Sequence, residues 1–284
     1  MPPLLRLLRP HQWTKNLLVW AAWVFTGSWG NSEGTARVAG AFVALCLISS
    51  LIYVVNDLMD VEADRQHPKK KNRPLASGAV SPGAALALAA VAGVGGFAAA
   101  MWAGVLLPML GFLGVQAFYN LLGKQIGVVD VLTISAAFVV RAALGAFALS
   151  VKLSPWLLLC TGLLALFLAF SKRRQEFLQM QGSGFVTRAS LRQYSEPVLT
   201  GFVWMSATLA TMAYGLYVIE SDTARAHPQL ILTAPIVLFA VLRYLLLVLR
   251  EDEGGEPELL LFRDRQMLGA IVLYLGVALW AMTS

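Results

Sequence analysis

The sequence predicts an all-α, polytopic membrane protein: nine transmembrane helices in one bundle, with a polar cavity facing the cytoplasm. Three observations carry this expectation. The chain is 58% hydrophobic and only 13% charged, where a soluble domain carries about a quarter charged residues. Apolar runs of roughly 17 residues or more recur along its whole length, enough for repeated membrane crossings. Its Lys and Arg collect on one side of those runs. A single transmembrane domain over residues 1–284 is the simplest organisation.

In chain order, Leu4 to Leu8 with Arg6 and Arg9 reads as an interfacial helix within residues 3–12. The expected spans follow at 14–30, 36–57, 83–101, 103–121, 128–149, 154–172, 198–219, 229–249 and 266–283. Only Trp102-Ala103-Gly104 parts the third from the fourth. Gly93, Gly95 and Gly96 in the third span suit close helix packing rather than a phosphate cradle. The longer connections, 58–82, 122–127, 173–197 and 250–265, all fall on one side.

That side also holds Arg6, Arg9, Lys15, Arg65, Lys69, Lys70, Lys71, Arg73, Lys124, Lys172, Arg173, Arg174, Arg188, Arg192, Arg250, Arg263 and Arg265. The opposite side has Arg37, Lys152 and Arg225. The skew predicts an amino terminus in the cytoplasm and a carboxyl terminus outside, in the inner (plasma) membrane. The net charge of +6 therefore reports topology, not nucleic-acid binding. Cys46 and Cys160 lie inside apolar runs and read as small hydrophobes. No cleavable signal peptide is expected, because residues 3–15 are too basic and too interrupted.

The chemistry concentrates at the end of the second span. Asn56, Asp57, Asp60 and Asp64 follow the apolar run directly, and at about 100° per residue the three aspartates share one arc of a helix. Carboxylates at the mouth of an apolar helix are costly without a cation. Mg²⁺ bound to a diphosphate suits them, since that ion takes a few carboxylates plus phosphate oxygens. The bland alternative is an acidic helix end pairing with Lys69, Lys70 and Lys71. His67-Pro68 should end the helix. Arg73, pinned by Pro74, is a candidate anion ligand.

Further cations follow. Tyr119 and Lys124 close the fourth span and can reach a phosphate, though interface Tyr and Lys are also ordinary anchors. Asp130 and Arg141 fall on nearly the same face of the fifth span, about 16 Å apart in depth. Arg141 at that depth should face a polar cavity, or else an intramembrane ion pair. Lys172, Arg173, Arg174 and Glu176 end the sixth expected span, where cations also complement the helix dipole. Lys172 and Glu176 share a face. Lys15 lies beside His11-Gln12-Trp13 and Asn16 at the first interface, and Arg243 and Arg263-Asp264-Arg265 add cations to the last two spans. Asp57, Asp60, Arg141 and Lys124 are thus the catalytic candidates. Asn56, Tyr119, Arg73, Lys172, Arg173, Asp130 and Lys15 are the substrate-binding candidates, and Asp57, Asp60 and Asp64 the metal ligands. Nothing in the chain has the spacing of a zinc set or a Ser/His/Asp triad.

These features resemble the UbiA superfamily of intramembrane prenyltransferases. The resemblance rests on Asn56-Asp57-x-x-Asp60-x-x-x-Asp64, on Tyr119-x4-Lys124 and on the nine-span pattern. Arg9 to Asn16, Asn56 to Pro74, Lys172 to Glu176, Gly255-Glu256-Pro257-Glu258 and Arg263 to Arg265 resemble its phosphoribosyl-transferring branch. Ordinary members carry a second aspartate motif near the end of the sixth span, where this chain has Lys172-Arg173-Arg174. That departure implies an extra anion in the site. The resemblance implies Mg²⁺-dependent transfer of phosphoribosyl from phosphoribosyl diphosphate to a polyprenyl (decaprenyl) phosphate, for cell-envelope arabinose donors. The competing expectations are prenyl transfer to a small or aromatic acceptor and, more remotely, anion transport.

Overall fold

The computed structural model describes residues 2–66, 70–183, 189–250 and 263–283, which form helices joined by turns and short irregular links. His67, Pro68, Lys69, Arg188 and Gly255 to Glu258 lie outside the described residues. The helices are α1 (Pro3–Leu7), α2 (Ala21–Phe25), α3 (Ser32–Met59), α4 (Val61–Gln66), α5 (Pro82–Trp102) and α6 (Leu106–Leu121). They continue with α7 (Val129–Leu149), α8 (Pro155–Ser183), α9 (Glu196–Glu220), α10 (Asp222–Ala226), α11 (Ala234–Arg250) and α12 (Arg265–Thr283). Among the described residues, eight helices are long and apolar enough to cross a membrane. The chain is a polytopic membrane protein.

Each of the eight coincides with an expected span. The ninth, 14–30, is helical but broken: a 3₁₀ segment over Pro10–Trp20, then the short α2, then a 3₁₀ turn over Ser28–Gly30. Gly27, at φ +62, ends α2. The separation at Trp102-Ala103-Gly104 is a tight helix stop. Gly104 takes φ +72, and the Val105 N–H donates to the Ala100 carbonyl at 2.9 Å.

Two compact units divide the chain. In the first, α3 packs along α5. Both carry few polar residues, so contact depends on close approach. A Cβ added at Gly96 would lie 2.9 Å from Ile48, and one at Gly95 would lie 3.3 Å from Leu47. The glycines therefore serve packing, as their spacing suggested. A tighter contact joins Gly145 to the first segment: a Cβ there would sit 1.9 Å from the Val19 carbonyl oxygen. Gly145→Ala must push the two backbones apart. It is expected to lower stability by about 1–3 kcal/mol, read as a fall in the melting midpoint in detergent. An unchanged midpoint would show that this approach is not needed.

In the second unit α8 packs on α9, and α11 on α12. The core includes Phe167, Phe170, Phe177, Leu199, Val203, Tyr244 and Leu245. The sixth expected span does not close at Lys172: α8 runs on to Ser183. Its extension holds helix formers, and Phe177 is buried in the core, so packing continues past the apolar run. The expected connection 173–197 therefore begins as helix, and the expected connection 58–82 contains α4. Arg243 forks onto Asp264, with Nε 3.2 Å from Oδ1 and Nη2 2.6 Å from Oδ2. The Arg243 guanidinium holds the Asp264 carboxyl below the usual carboxylate range, and the Met267 N–H, which starts α12, adds to this.

Candidate active site

Within the first unit, the aspartate motif spans the junction of α3 and α4. Asp60 caps α3, and the Asp64 N–H donates to the Asp60 carbonyl at 2.8 Å, so the helical course is nearly kept across the break. Asp57 and Asp64 are 3% and 2% exposed, whereas Asp60 is exposed and Asn56 half-buried. Burial of two carboxylates demands cations, and arginines supply them. Arg73 Nη1 lies 3.1 Å from Asp57 Oδ1 and 2.6 Å from Asp64 Oδ2, bridging both. Arg9 Nη2 donates to Asp57 Oδ1 at 2.5 Å. Lys70 Nζ stands 3.8 Å from Asp64 Oδ1.

Arg73, expected as an anion ligand, pairs here with the two aspartates. Arg9 was not among the candidates. It sits 48 residues from Asp57 in sequence, in a left-handed conformation (φ 50) just before Pro10. Such backbone is uncommon for a residue other than glycine and costs of order 1–3 kcal/mol. Its neighbours hold it there. The Leu8 carbonyl accepts from Ser50 at 2.8 Å, and the Arg9 guanidinium lies 4.9 Å from the Tyr53 ring centroid. Its sequence signals were a cation preceding a proline at an apolar border and its place in the Arg9 to Asn16 segment that carries the resemblance. Lys15 donates to Gln12 Oε1 at 2.6 Å.

The donor chemistry fits a hard divalent cation. Asp57 and Asp64 already converge on one positive group, and two carboxylates completed by phosphate oxygens are what Mg²⁺ accepts. Among the described residues no three His, Cys, Asp or Glu side chains form a metal cluster.

Within the second unit a different group forms. Asp130, fully buried, lies 2.9 Å from Arg173 Nε as an ion pair rather than an aligned hydrogen bond. It accepts from the Val131 N–H at 2.9 Å and from the Ser190 and Tyr194 hydroxyls at 3.1 Å each. Arg173, 1% exposed, also pairs with Glu176. Arg174 ties α8 to α9 and α11, donating to Thr200 Oγ1 and the Val248 carbonyl at 3.1 Å each, and to Glu196 at 3.3 Å. Arg173 and Arg174 are thus committed to internal partners. Lys172 is half-buried on α8.

Asp130 pairs with Arg173 of α8. Arg141, about 16 Å further along α7, is buried, with its guanidinium 4.7 Å from the Phe112 and 5.1 Å from the Phe138 ring centroid. Glu176 pairs with Arg173 at i,i+3. Tyr119 is half-buried near the end of α6, and Lys124 half-buried on a 3₁₀ turn over Gly123–Gln125. Tyr194, Ser190 and the turn they hold gave no sequence signal beyond a polar loop.

Comparison with known proteins adds to this geometry. The family model described as the UbiA prenyltransferase family matches residues 17–263. The chain is 36% identical to decaprenyl-phosphate phosphoribosyltransferase of Mycolicibacterium smegmatis, over 96% of this chain and 90% of that one. It is 37% identical to the protein of the same name from Mycobacterium tuberculosis, over 92% and 87%. Its fold is similar to a UbiA homolog from Archaeoglobus fulgidus bound to GPP and Mg²⁺. The TM-score is 0.75 at 17% identity, covering 99% of this chain and 100% of that one.

Proposed function

We propose, because the chain belongs to the UbiA prenyltransferase family, that it transfers 5-phosphoribosyl from phosphoribosyl diphosphate to a polyprenyl phosphate, releasing diphosphate. The observation that carries the reading is the pair of buried carboxylates, Asp57 and Asp64, converging on Arg73 beside Arg9. Such a site matches a donor carrying both a metal and several phosphate oxygens. The two relatives named for this reaction support the same assignment, with decaprenyl phosphate as the acceptor.

In this reading Asp57 and Asp64, with the exposed Asp60 beside them, would hold Mg²⁺ on the donor diphosphate, where the ion would supply charge neutralisation of the leaving group. Arg73 and Arg9 then turn from carboxylate to phosphate oxygens, for which a guanidinium fork is suited. Asn56, Lys15 and Tyr119 orient the donor, and Lys124, Arg141 and Lys172 neutralise phosphate charge. Asp130 and Arg173, being buried, act through what they hold in place. A lipid phosphate oxygen bonds to the anomeric carbon as the carbon–oxygen bond to diphosphate breaks. That phosphate is already anionic, so no general base is required, and the protein supplies position and charge stabilisation. The transition state has oxocarbenium character, and in-line attack inverts the anomeric centre.

We place the site on the cytoplasmic face, with the amino terminus inside, the carboxyl terminus outside and the whole chain acting as one domain. The ninth span is then the stretch Pro10–Phe25. Eleven 3₁₀ residues at about 2.0 Å each and five α residues at about 1.5 Å together reach roughly 30 Å, the thickness of the hydrocarbon core.

The test is the mass of the lipid product. The full chain in nanodiscs receives Mg²⁺, phosphoribosyl diphosphate and decaprenyl phosphate, and in parallel a prenyl diphosphate with an aromatic acid. The expected product is a phosphoribosylated lipid with stoichiometric diphosphate. A prenylated aromatic acid and no phosphoribosyl lipid would overturn the reading, as would anion flux into liposomes without any lipid product.

A further inference from the structure

The turn that carries Lys124 is built against a backbone strain. Val128 takes φ +65, a conformation that a β-branched residue rarely adopts. Its side chain is 39% exposed, so apolar packing does not account for the strain. Polar contacts do. The Val128 N–H donates to the Tyr194 hydroxyl oxygen. The Gly127 N–H donates to Gln193 Oε1 at 2.9 Å, and Gln193 Nε2 returns a bond to the Gln125 carbonyl at 3.0 Å. The Tyr194 hydroxyl itself donates to Asp130 Oδ1. One oxygen therefore fixes both the strained turn and the first turn of α7. Burial pushes the Tyr194 hydroxyl up to about 12.

We infer that Tyr194 is a positioning residue for donor binding: its hydroxyl, with Gln193 beside it, sets the turn over residues 123–130 and so the place of Lys124. This rests on the assignment of Lys124 to donor phosphate made above. Tyr194 touches no reacting atom and acts only through the turn. Removing its hydroxyl leaves the Val128 N–H without its acceptor and the left-handed backbone without its restraint.

The test uses the full chain in nanodiscs, measuring kcat and the donor KM from lipid product formed. Tyr194→Phe is expected to raise the donor KM about tenfold, with kcat little changed. Val128→Gly in the same chain is expected to bring KM back to within about threefold of the parent, because glycine adopts positive φ without strain. Gln193→Ala, at an exposed position that leaves the core intact, is expected to raise KM about threefold. Adding Tyr194→Phe to Lys124→Gln should cause no further loss, since both changes remove the same contact. Additive losses would overturn the inference, as would failure of the glycine rescue or an unchanged KM in Gln193→Ala. If the parent chain makes no phosphoribosyl lipid, the proposed reaction fails. If the parent turns over and the variants behave additively, only the role of Tyr194 fails.

Discussion

Asp57→Asn is expected to lower kcat/KM for phosphoribosyl transfer about a thousandfold in a protein that still folds. The substitution keeps the shape of the side chain and removes its charge, so the loss isolates electrostatics. Asp57 meets Arg9 and Arg73 through one carboxylate oxygen, and it is one of the two buried carboxylates that would hold the donor's metal. The two arginines are only partly buried, their side chains 23% and 28% exposed, and can rehydrate when the charge disappears. The melting midpoint should therefore fall by only a few degrees, roughly 2–4 °C per kcal/mol for a chain of this size class. Both quantities are measurable on one preparation, turnover by product mass and folding by thermal scan. Near-normal turnover in a folded variant would remove Asp57 from the donor site.

Arg173→Met should do the reverse, acting on stability first. Asp130 is fully buried, and its other donors, two hydroxyls and one backbone N–H, carry no formal charge. Removing the cation leaves an unpaired buried carboxylate, a change that costs about 3–5 kcal/mol where such pairs have been broken. Thermal scans in matched detergent test this, and Asp130→Asn in the same chain should recover most of the loss by removing the stranded charge. A single variant as stable as the parent would show that the ion pair does not hold this region. Loss of activity without loss of stability would instead place Arg173 in direct contact with substrate.

The two predictions mark what was legible in the sequence. Apolar length announced eight of the helices, all but the end of α8 to within a few residues, because the membrane demands continuous helix and leaves hydropathy as the signal. Asp57, Asp64 and Arg73 were legible because local spacing and Pro74 fix them. Arg9, Ser190 and Tyr194 were not. Each meets its partner across 48 to 64 residues, and each stands in a sequence that reads equally well as membrane anchor or loop. Periodicity set Asp130 and Arg141 on one face about 16 Å apart, but it carries no signal for Arg173, which meets Asp130 from another helix. The end of α8 was misplaced for a related reason. Hydropathy falls at Lys172, while helical hydrogen bonding and the packing of Phe177 do not.

The unbroken course of α8 from Pro155 to Ser183 has a consequence for variation. Arg173 is aimed by a rigid rod, so its direction is set by every residue count upstream. One residue added or lost between Pro155 and Lys172 would swing the guanidinium by about 100° and shift it by about 1.5 Å, away from Asp130. A flexible connection at this point would absorb such a change. Here the lengths of α8 and of its partner segments are locked to one another. The apolar half of the helix, free to exchange one hydrophobic residue for another, is not free to change length.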